Sequence, residues 1–115
     1  DSLYRPPVGC LFTKHLRSLN PTEYSDQKIL RVALADKLDN VRSMVADYRY
    51  YRQKGQAEAF WKRFNASKAD QLWFIGELVE ILKEMKAKER SRDALIPPYF
   101  LEEFERAVQE LGQRT

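Results

Sequence analysis

The sequence predicts an all-α protein, a bundle of about five helices in one domain. Three observations carry that reading. Only 4 glycines and 5 prolines punctuate the 115 residues, too few for the turns of a many-stranded fold. Apolar residues recur at three- and four-residue spacing over long stretches. No stretch alternates apolar and polar residues as a half-buried strand does.

The elements follow in order along residues 1–115. Residues 1–9, DSLYRPPVG, hold two prolines and a glycine and read as an extended arm. CLFTKHLRSL (10–19) spaces Leu11, Phe12, His15, Leu16 and Leu19 as a short amphipathic helix. That spacing makes His15 a boundary or core histidine. Asn20 and Pro21 end the helix.

A long central helix is expected over 22–54. Thr22 or Ser25 can cap it, and Glu23, Asp26 and Gln27 suit its positive N-terminal end. Its apolar positions are Ile29, Leu30, Ala33, Leu34, Leu38, Val41, Val45 and Tyr48, with Gly55 as the stop. QAEAFWKRF (56–64) clusters Phe60, Trp61 and Phe64 on a short helix. Asn65 or Ser67 then caps a core helix over 68–88, apolar through Leu72, Trp73, Ile75, Leu78, Val79 and Leu82. A polar linker (89–98) leads through Pro97 and Pro98 into a terminal helix over 98–112.

Bulk properties narrow the function classes. Apolar residues make up 43% and charged residues 32%, the balance of a folded, soluble domain. The net charge is +3, but Lys and Arg are interleaved with Asp and Glu, as on solvated helix faces. The one mixed basic run, KEMKAKERSR (83–92), is short and interrupted by acids, a weak basis for nucleic-acid binding. The single Cys10 excludes an internal disulfide and fits a reducing, cytoplasmic location. No apolar run reaches membrane-spanning length, and no signal-peptide pattern opens the chain. The chain opens on Asp1 and not on Met, which reads as a fragment or a trimmed product.

Standard catalytic constellations are absent from the sequence. It holds no Gly-rich phosphate loop, CxxC, HExxH, GxSxG or EF-hand loop, and one histidine cannot build a multi-histidine zinc site. One stretch invites chemistry, VALADKLDNVRSMVADYR (32–49). Asp36 and Asn40 are four apart and share a helical face; Ser43 and Asp47 extend the stripe, with Lys37 and Arg42 beside it. A carboxylate is a hard oxygen ligand for Mg²⁺ or Mn²⁺, and an amide and a hydroxyl can orient a phosphorylated ligand. A polar stripe is also what any wet helix face looks like. The placement of Asp36 within a dense apolar run argues for a neutralising partner, since an unpaired buried charge is costly.

VALADKLDNVRSM resembles the last motif of the HD-domain metal-dependent phosphohydrolases, in the branch of the (p)ppGpp hydrolases. There the helix typically reads Leu-Ala-Asp-Lys/Arg-Leu-His-Asn-x-Arg. The likeness continues through ADYRYYRQKGQAEAFWKRFNASKADQLWFIGELVEIL, similar to small bacterial HD proteins, and through LEEFERAVQEL. It spans about residues 30–111. The resemblance implies that Asp36 is the last metal ligand, for a divalent Mn or Mg, and that Asn40 and Ser43 contact a nucleotide.

The departures from the family are equally definite. The chain has no His-Asp dipeptide, and Asp39 stands where the family motif has His. The family's first histidine, its His-Asp pair and the Glu-Asp pair that follows are missing. The resemblance thus implies an HD-like domain that lacks the N-terminal helices and is inactive as a hydrolase by itself.

Two functions remain open. One is a truncated nucleotide phosphohydrolase-like domain with a residual metal and nucleotide helix. The other is a non-catalytic helical module that self-associates through the apolar face the lost helices once covered. Nucleic-acid binding is the weaker third.

Overall fold

A computed structural model of the chain describes residues 9–88 and 96–112. Residues 1–8 of the expected arm (1–9) and 89–95 of the expected linker (89–98) lie outside the described residues. Five α-helices make up the fold: α1 (Cys10–Ser18), α2 (Tyr24–Gln53), α3 (Ala57–Lys62), α4 (Lys68–Lys88) and α5 (Pro98–Leu111). There is no strand among the described residues.

Local chemistry sets the ends. Gly9 takes φ +88 at the start of α1, and a Cβ there would meet the Phe74 ring at 2.2 Å. Only glycine fits that close approach without strain. Between α1 and α2, Asn20 Oδ1 accepts from the Thr22 N–H (3.0 Å) and hydroxyl (2.7 Å), while Asp26 accepts from the Asn20 N–H at 2.7 Å. These bonds form the turn; the N-cap residue of α2 is Glu23 and not the expected Thr22 or Ser25, and it makes no side-chain capping bond. At the other end Gly55 adopts φ +69. The Gln56 N–H returns to the Tyr51 carbonyl at 2.9 Å and the Gly55 N–H to Arg52 at 3.0 Å, the bond pair of a Schellman stop. Ser67 Oγ accepts from the Asp70 N–H at 3.1 Å and caps α4. Pro98 opens α5, where its missing N–H is no loss.

One core joins all five helices. α2 contributes Leu30, Leu34, Leu38, Val41 and Tyr48; α4 contributes Ile75, Leu78, Val79, Ile81 and Leu82; α5 contributes Phe100, Phe104, Ala107 and Leu111. Each large apolar side chain so buried stabilises the fold by ~1.5–3 kcal/mol. Phe60 locks α3 onto α2. Its ring lies 5.4 Å edge-on to Tyr48 and 5.9 Å from Tyr51.

α1 meets the core through Leu16, with Phe12 and Leu19 packed against it as the apolar spacing suggests, but not through Leu11 or His15. Leu11 is 82% exposed and His15 is exposed, so His15 is not a core histidine. Thr13 is buried in their place. Thr13 can enter the core because its hydroxyl donates to the Cys10 carbonyl at 2.9 Å.

α2 and α5 run parallel. Arg42 grips Glu103 (3.2 and 2.5 Å) and Arg49 grips Glu110 (2.6 and 2.8 Å), each with two hydrogen bonds. Both arginines and both glutamates are seven residues apart in the same direction, so the forks fix register as well as orientation. Arg49 holds the Glu110 carboxyl below its ordinary range, chiefly through this hydrogen bonding. On the other flank Arg17 of α1 reaches Glu77 (2.6 Å) and Glu84 (3.3 Å) of α4.

The resulting body is flat, 46 × 38 × 19 Å, with a radius of gyration of 15.6 Å. A compact chain of this length has about 13 Å. At about 10 Å per helix, the short axis holds two helical layers. Such a slab leaves much of α2 open on its outer side.

Candidate functional site

The outward stripe of α2 holds every residue that the sequence marks as a site. Asp36, Asn40 and Ser43 are all exposed. Successive helical residues turn by ~100°, so Leu34 and Leu38, two on either side of Asp36, point to the far face. Those leucines are at most 2% exposed, whereas the Asp36 side chain is 66% exposed. The dense apolar run therefore surrounds Asp36 in sequence but not in space. Its carboxylate faces solvent, so no buried charge calls for a neutralising partner. Lys37 Nζ lies 3.7 Å away and also sits 4.9 Å over the Phe12 ring.

Asp36, Asn40 and Ser43 do share one face. Asp36 and Ser43 are about 10.5 Å apart along the axis. Asp47 continues the line and pairs with Arg63 at 3.6 Å.

A divalent cation asks for six or more oxygen ligands, or near-ideal octahedral geometry. One exposed carboxylate, an amide and a hydroxyl spread over two turns do not meet that demand. Among the described residues no group of three His, Cys, Asp or Glu side chains could hold a metal ion. The donors of a single copy do not fit a resident metal, and no hydrolytic step follows from them.

What the sequence reading left out is apolar. Ile29 is 46% exposed, Val32 71% and Tyr50 57%. With Asp36 as reference, all three fall within about 40° of it at 100° per residue. The spacing placed Ile29 in the core stripe; the structure puts it outside, beside Val32. The signal was available: 29, 32, 36, 40, 43, 47 and 50 form a second three-and-four series through the same helix.

Comparison with family models, curated proteins and solved structures finds no match to this chain. No described helix is long and apolar enough to cross a membrane.

Proposed function

We propose that the chain is a non-catalytic helical module that self-associates through the outward stripe of α2. The observation that carries this reading is the exposure of Ile29, Val32 and Tyr50 on one face of the longest helix. The flat body supports it, because a second copy against α2 would supply a third layer.

The charge order of the stripe selects an antiparallel pairing. Six of its seven positions pair symmetrically about residues 39–40, and the seventh, Asn40, lies beside that point. A two-fold there sets Ile29 against Tyr50 of the second copy, Val32 against Asp47, and Asp36 against Ser43. Lys28 then lies within reach of Asp47 across the dyad. A parallel pairing would oppose Asp36 to Asp36 and is disfavoured.

The likeness to HD phosphohydrolases gives this surface an origin. Asp36, Asn40 and Ser43 then stand at the positions of a metal and nucleotide site in that family. This ancestry rests on the linked sequence segments between residues 30 and 111. It is tested by Mn²⁺ calorimetry on wild type and Asp36→Ala. Micromolar binding lost in Asp36→Ala would restore the hydrolase reading, with ligands shared across copies.

Sedimentation velocity over a hundredfold concentration range tests self-association itself. The wild type should form a dimer, and Ile29→Glu with Val32→Glu should sediment as a monomer with unchanged helicity. EDTA should leave the dimer intact. A wild type that stays monomeric throughout would overturn the reading.

A further inference from the structure

No further inference is drawn: the strongest candidate, the aromatic and basic corner where α2 turns into α3, has Arg63 already paired with Asp47 and Lys54 and Lys68 already seated over the Tyr50 and Trp61 rings, and nothing in the structure shows what covers it.

Discussion

Replacing Tyr48 by phenylalanine should make the protein more stable. Tyr48 is fully buried, and no group among the described residues bonds its hydroxyl. Its ring packs edge-on to Phe60 at 5.4 Å and tilted to Trp61 at 6.0 Å, contacts that phenylalanine keeps. A buried hydroxyl without a partner costs about 1–3 kcal/mol, because water solvates it in the unfolded chain. Removing one oxygen leaves a small void, worth only a few tenths at ~24 cal/mol per Å³. The net gain is then about 1 kcal/mol. With an unfolding entropy near 2.1 cal/mol/K per residue, 115 residues convert that gain to a rise of about 4 °C in Tm. Urea titration and thermal circular dichroism on wild type and Tyr48→Phe measure both quantities. Tyr48→Ala serves as the control and should lose about 3–5 kcal/mol, since it empties the ring site. A Tyr48→Phe variant destabilised by about 1 kcal/mol or more would refute the reasoning, because the hydroxyl would then have a partner in the folded protein.

Other substitutions probe the faces and ends of the helices. Leu34→Ala should cost about 2–5 kcal/mol while Val32→Ala stays within about 0.5 in the monomer, as measured by urea unfolding at low protein concentration. Gly9→Ala should destabilise by at least about 1 kcal/mol, through the positive φ and the Phe74 contact together. Gly76→Ala, in mid-helix with open space for a Cβ, should stabilise by about 0.5–1 kcal/mol in the same assay. The Glu110 carboxyl titrates lower when folded than when unfolded, so its contribution is present above its unfolded pKa and is lost as pH falls through the folded one. Urea midpoints measured down the acid limb should therefore fall less steeply for Glu110→Gln than for wild type.

Much of the architecture was legible because helix signals are local. The long apolar series through Leu30, Leu34, Leu38 and Val41 marks α2, Gly55 sits at its stop, and Ser67 at the cap of α4. Which side of a helix meets the core is a tertiary matter. α1 rotated Thr13 inward and His15 outward because a Thr hydroxyl can bond back to its own helix, an option that apolar spacing does not reveal. The same applied to Asp36. Its neighbours in sequence are core leucines, but two residues of separation are ~200° of rotation. The Arg42–Glu103 and Arg49–Glu110 forks join residues 61 apart in sequence, and no single-helix pattern shows them. Only their shared seven-residue spacing hinted at two helices in register.

The most direct test of the central claim is the distance between copies at the middle of the α2 stripe. A spin label at Asn40→Cys, on a Cys10→Ser background, can be measured by dipolar spectroscopy. Antiparallel pairing about residues 39–40 predicts strong coupling between two labels on helices whose axes are about 10 Å apart. A label at Lys14→Cys should lie farther from its mate. An Asn40 label with no coupling to a second copy, at concentrations where the chain sediments as a dimer, would contradict the account and place the interface elsewhere.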